Sequence, residues 1–254
     1  MTFLQMTAIF LAGIAAGTIN TVVGSGTLIT FPTLLAIGVP PVTANVSNTI
    51  GLVPGSVSGA IGYRRELVGQ RSRLLRLGSA SLIGGVIGAV LLLVLPADAF
   101  NAIVPVLIAV GCLLVIFQPA ISARVAERSQ RRGGAPEHGS LWVWVLVLVT
   151  GVYGGYFGAA QGVLLMAILG IGLMETMQRN NATKNVLAGL VNAVAALIFI
   201  AVAHVDWQVV ALIAVGSTIG GQVGAKVGRR LPPLAMRVVI VVVGVVALTR
   251  FILA

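Results

Sequence analysis

The chain has 254 residues, of which 58% are hydrophobic and 9% charged, whereas a soluble domain carries about 25% charged residues. It lacks the polar residues needed to coat a soluble globule. The net charge of +10 does not suggest a nucleic-acid module, because the basic residues fall in short segments between apolar runs, at 64–76, 124–132 and 226–230. That is the loop bias of a polytopic membrane protein, facing the cytoplasm and anionic lipid headgroups.

In chain order, residues 3–23 form a first apolar segment. The N-terminus has no basic stretch and no small-residue cleavage site, so 1–11 reads as the start of a spanning segment rather than a removable signal. Gly24, Ser25 and Gly26 interrupt it. The segment 27–38 that follows is too short to span alone, and Val39, Pro40 and Pro41 make a turn. A helix is predicted over 42–63, with Asn45, Ser47, Asn48, Ser56 and Ser58 along it and a kink at Pro54. A basic loop at 64–76 precedes helices at 77–95 and 99–118, joined by Pro96, Ala97 and Asp98. The polar segment 119–140 divides the chain into a first transmembrane repeat, 1–118, and a second, 141–254. In the second, 141–157 is apolar, the run GVYGGYFGAAQG breaks it, and 163–173 is again short. A charged turn at 175–181 leads into helices at 182–203, 207–225 and 235–252, with 226–233 between the last two. Uncharged runs at 77–97, 99–123 and 185–203 exceed the roughly 18 residues expected of a spanning helix.

An offset of 136 lays the second half on the first. It places Gly26 on Gly162, Asn45 on Asn181, Ser47 on Thr183, Asn48 on Lys184 and Ser56 on Asn192. Gly17 and Gly24 are spaced like Gly151 and Gly158, after a two-residue gap. If the basic segments 64–76, 119–140 and 226–233 all face the cytoplasm, the halves are inverted. Inverted repeats with broken helices are a transporter plan. The predicted fold is therefore all-α and polytopic, with a glycine-broken first helix and a re-entrant-like short segment in each half.

Backbone freed by a break in hydrocarbon has to be buried in protein or line a polar cavity. At Gly24, Ser25 and Gly26, and at Gly158 to Gly162, helix N-termini would offer N–H groups to an anion, and glycine lets a ligand approach the backbone. The glycines of 84–88 and 216–224 read instead as helix packing. A lysine at the mouth of an apolar helix, Lys184, needs water, a carboxylate or a ligand, or must snorkel to the headgroups. Asn181 and Asn185 flank it. Glu66, Asp98, Glu127, Glu137, Glu175 and Asp206 all lie in predicted loops or at helix ends, so no carboxylate is placed for a cation or a proton relay. The single cysteine, Cys112, excludes an intrachain disulfide. His138 and His204 stand apart, so no metal or cofactor is expected. With no histidine pair, cysteine dyad or buried carboxylate pair, an enzyme is not expected. An anion channel, a permease for another small solute and a structural membrane protein are the competing readings.

These features together resemble the sulfite exporter TauE/SafE family of permeases. The resemblance rests on Gly24, Ser25 and Gly26 with Pro32, on Ala44 to Asn48, and on Gly158 to Gly162 with Ala182, Thr183 and Lys184. It covers the entire chain. Ser25 stands where a third glycine is common and Ser47 where threonine is common. The resemblance implies transport of small sulfur-containing or organic anions, such as sulfite, thiosulfate or sulfonates, across the inner membrane. The candidate binding residues are Asn20, Gly24, Ser25, Gly26, Thr27, Asn45, Ser47, Asn48, Gly158, Gln161, Gly162, Asn181, Thr183, Lys184 and Asn185. In the mechanism expected, N–H groups of 25–28 and 161–164 hold the anion and Asn48, Lys184 and Asn185 complete the cage, while the halves rock. A homo-oligomer is compatible with this reading.

Overall fold

The structure is a computed structural model that describes residues 1–131, 140–173, 175–227 and 233–253. The described residues form ten α-helices and no strand: α1 Phe3–Val22, α2 Thr27–Ala36, α3 Pro41–Gly62, α4 Arg71–Val94, α5 Ala97–Arg131, α6 Leu141–Tyr156, α7 Gln161–Gly172, α8 Met177–Val202, α9 Trp207–Val227 and α10 Pro233–Leu253. Five of them are long and apolar enough to cross a bilayer, so this is a multi-pass membrane protein.

Three helices are longer than the hydropathy pattern predicts. α4 takes in Arg71, Arg73 and Arg76 from the expected basic loop, and α5 runs on through Pro119 to Arg131. Arginine, alanine and glutamine are good helix formers, and a helix does not end where lipid ends. α8 starts at Met177 because the Thr176 side chain accepts a hydrogen bond from Arg179 N and caps the first turn. The rest of the 119–140 linker, residues 132–139, and residues 228–232 of the last basic segment lie outside the described residues.

Glycine sets the helix pairing. Side chains at Gly17, Gly216 and Gly220 would strike the facing backbone between α1 and α9, and side chains at Gly84, Gly88 and Gly155 would do so between α4 and α6. Gly51, Gly55, Gly59 and Gly62 seat α3 on α9 and on Thr21 of α1. Without a hydrophobic force between helices in lipid, such close approach is what holds them together. The packing is paired throughout. α1 on α9 has its counterpart in α6 on α4, α3 on α9 in α8 on α4, and α5 on α7 in α10 on α2, and all of these, like α3–α8 and α5–α10, join one half to the other.

Both short helices turn back. At the end of α7, Gly172 lies against Trp142 and Val143 at the start of α6. At the end of α2, residues Ile37 to Pro40 share a cleft with Met1, Gln5 and the α8–α9 connection. The two hairpins therefore enter from opposite ends of the molecule. One end gathers the α3–α4 and α7–α8 connections, with Arg73 bonded to Glu175 and Arg179 to Val68 O. The other gathers the N-terminus, the α2–α3 turn and residues 204–207.

Candidate functional site at the crossing of two helix breaks

The two breaks are built alike. In the first, the N–H groups of Val23 and Gly24 both donate to Ile19 O, at 2.7 and 3.0 Å. In the second, those of Phe157 and Gly158 both donate to Tyr153 O, at 3.0 and 3.1 Å. Gly24 (φ 91°) and Gly158 (φ 75°) then take left-handed backbone, the ordinary glycine ending of a helix. Ala160 (φ 60°) is also left-handed, which costs a residue with a Cβ about 1–2 kcal/mol. The two breaks touch. Gly162 N donates to Gly24 O at 2.9 Å, and a methyl group on either glycine would meet the backbone of the other.

Each interrupted helix leaves carbonyls without a helical partner, and the opposite half supplies the donors. Asn45 on α3 donates through Nδ2 to Tyr156 O of α6 at 2.9 Å. Asn181 on α8 donates to Thr21 O of α1 at 3.1 Å. Asn185 Nδ2 reaches the same carbonyl at 3.3 Å, and Lys184 Nζ donates to Asn20 O at 2.9 Å and Thr21 O at 3.3 Å. A cation and amide donors thus sit at the negative end of the α1 dipole. Asn48 bonds Thr27 Oγ1 at 3.4 Å, beside the start of α2. Ser47 and Thr183 are not brought to the crossing. Ser47 Oγ accepts from Asp206 N at 3.0 Å, and Thr183 Oγ1 donates to Gln70 Oε1 at 2.9 Å, so each holds a connecting loop.

Lys184 is fully buried, and among the described residues no carboxylate pairs with it. Ser25 Oγ, Gln161 Nε2 and Asn48 Oδ1 are buried without a partner among the described residues. Gln161 lies against Gly154.

The backbone donors need correction against the sequence expectation. The N–H groups of Gln161, Val163 and Leu164 close turns onto Gly158 O and Ala160 O, that of Gly162 crosses to Gly24 O, and that of Leu28 bonds Ser25 O. Within the two breaks, the N–H groups of Ser25, Gly26, Thr27, Ala159 and Ala160 are the ones without such a bond among the described residues. The spare donors lie in the break loops and at the first residue of α2, and none lies in the first turn of α7. Sequence reasoning also passed over Tyr156, whose carbonyl is capped and whose hydroxyl has no partner among the described residues. It likewise missed the aromatic wall beside it, where Phe31 stands edge-on to Phe157 at 5.0 Å and to Phe100 at 6.4 Å. The pair Tyr156 and Phe157 directly before a glycine was the available signal.

The chain resembles known proteins over most of its length. The sulfite exporter TauE/SafE family matches residues 9–251. The probable membrane transporter protein YfcA of Escherichia coli K12 is 27% identical over 251 residues, covering 96% of this chain and 88% of that one. The probable membrane transporter protein ORF9 of Sinorhizobium sp is 27% identical, covering 98% and 93%. The probable membrane transporter protein YdhB of Bacillus subtilis is 26% identical, covering 90% and 91%. No solved structure matches the chain.

Proposed function

Because the chain belongs to the sulfite exporter TauE/SafE family, we propose that this membrane transporter is a secondary permease for small anions, sulfur oxyanions and sulfonates first, which it binds at the crossing of its two helix breaks. The observation that carries the reading is Lys184, a fully buried side chain with no carboxylate partner among the described residues. Isolated charge is costly in a low-dielectric interior. Carbonyl oxygens offset part of that cost, and an anion would offset more. Donors without a partner among the described residues also lie in the two breaks, in Ser25 Oγ, Gln161 Nε2 and the N–H groups of 25–27.

The halves act as inverted repeats in this proposal, with the arginine-rich end in the cytoplasm by the positive-inside rule. The membrane is the inner membrane. The anion lies between backbone donors of the two breaks, and the reciprocal caps from α3 and α8 tie each break to the opposite half. Rocking one half against the other would then move the site from one face to the other.

Flux into liposomes holding the purified protein tests this. Saturable uptake of a sulfur oxyanion or sulfonate is expected. Lys184→Met should lower it at least tenfold, and Lys184→Arg should retain a measurable part. Since Lys184 also caps α1, the comparison requires variants that elute as a single species with unchanged helicity. Full flux from such a Lys184→Met protein would remove the ammonium from the site.

A further inference from the structure

Resting on that reading, we infer that the crossing is a monoanion site and that the pair Lys184 and Asn48 sets its charge. Four helix ends meet there. The C-termini of α1 and α6 are negative and the N-termini of α2 and α7 positive, each by roughly half a charge. They cancel in pairs. The formal charge of the crossing is then that of Lys184 alone among the described residues, since Glu175 is engaged elsewhere by Arg73 and Arg179.

The overlay of the two halves shows why there is one charge and not two. Lys184 and Asn48 occupy equivalent positions, and both are completely buried. Lys184 flanks the first break from the carbonyl side, at Asn20 O and Thr21 O. Asn48 flanks the same break from the donor side, at Thr27. One half supplies a cation and the other an amide. A monoanion beside one ammonium leaves the buried site neutral. A dianion leaves a net negative charge in the interior, where the solvation penalty grows steeply with net charge. A permease of this design distinguishes a sulfonate or a singly ionised oxyanion from a doubly ionised one without any difference in the shape of the head group.

Methanesulfonate and sulfate provide the test, because a methyl group replaces one charged oxygen on the same tetrahedral sulfur. The readout is the melting temperature of the full-length protein in detergent at pH 7 and fixed ionic strength, titrated with each salt. Methanesulfonate should half-saturate at a concentration at least tenfold below that of sulfate. Asn48→Lys adds the second cation and should reverse the order, and Lys184→Arg should preserve it. Equal or tighter sulfate binding in the natural protein would overturn the inference, as would an unchanged order in a folded Asn48→Lys protein. If Asn48→Lys does not fold, the natural protein and Lys184→Arg still decide it. Flux of anions with the wrong order would sink this inference alone, whereas no stabilisation and no flux with any anion would remove the anion reading beneath it as well.

Discussion

Gly24 and Gly162 meet backbone to backbone, and the two are not equivalent. Gly24 needs left-handed backbone and close approach together, whereas Gly162 needs only the approach. Gly38 is the reverse case, left-handed (φ 92°) with open space around the site of a Cβ. Gly162→Ala should therefore cost about 1–3 kcal/mol, as overpacked sites do. Gly38→Ala should cost only the left-handed backbone term of about 1–2 kcal/mol. Melting temperatures of the two variants check the order, and a Gly162→Ala protein as stable as the natural one would mean that the breaks do not touch. Both glycines of the contact stood out in the sequence as helix breakers in an apolar run. That they faced each other did not, because the spacing of residues along one chain does not say which gap meets which. The offset of 136 in fact paired Gly162 with Gly26.

At the level of the helices, the reciprocal caps divide unequally. Thr21 O receives Lys184, Asn181 and Asn185, whereas Tyr156 O receives Asn45 alone among the described residues. A buried carbonyl that loses its last donor bears a larger penalty than one that loses one of three. Asn45→Ala should thus destabilise by about 1–3 kcal/mol and Asn181→Ala by distinctly less, read by thermal unfolding in detergent. Equal losses would mean that Tyr156 O finds another donor. The overlay anticipated that Asn45 and Asn181 are a pair, because a polar residue at the same place in two apolar helices is conspicuous. Ser47 and Thr183, which the candidate site included, turn to the connecting loops for a geometric reason. Asn45 and Asn48 are three apart and share a helix face, whereas Ser47 is two from Asn45 and points away, towards Asp206. The helix ends were the other shortfall. Hydropathy reports where lipid stops, and α4, α5 and α8 continue past that point on helix-forming charged residues.

Across the whole molecule, the two ends are fastened differently. At the arginine-rich end Glu175 binds Arg73 Nη1 at 2.9 Å and Arg179 Nε at 2.7 Å, Arg73 also donates to Gln70 Oε1 at 2.8 Å, and Thr183 donates to the same oxygen. This network joins the α3–α4 and α7–α8 connections to α4 and α8. At the opposite end, Asp206 N donates to Ser47 Oγ beside a cleft of about 530 Å³. In the rocking mechanism proposed above, this network has to part for the site to open at the arginine-rich end. Burial alone would raise the Glu175 carboxyl, but the hydrogen bonds and charges of Arg73 and Arg179 outweigh it and hold the group below its ordinary value of 4.5. A lowered value in the folded protein means the contribution is complete above about pH 4.5 and disappears as pH falls through the lowered value. Glu175→Gln should remove that acid-dependent step and loosen the same end at neutral pH. Ser25→Cys in a Cys112→Ala background reports the opening, since Ser25 is fully buried and Cys112 is the chain's single cysteine. A membrane-impermeant thiol reagent should label it several-fold faster from the arginine-rich face once Glu175→Gln is added, and more slowly from the other face if the halves rock as rigid units. Unchanged labelling from the arginine-rich face would show that the ion pairs hold the loops without holding the site closed.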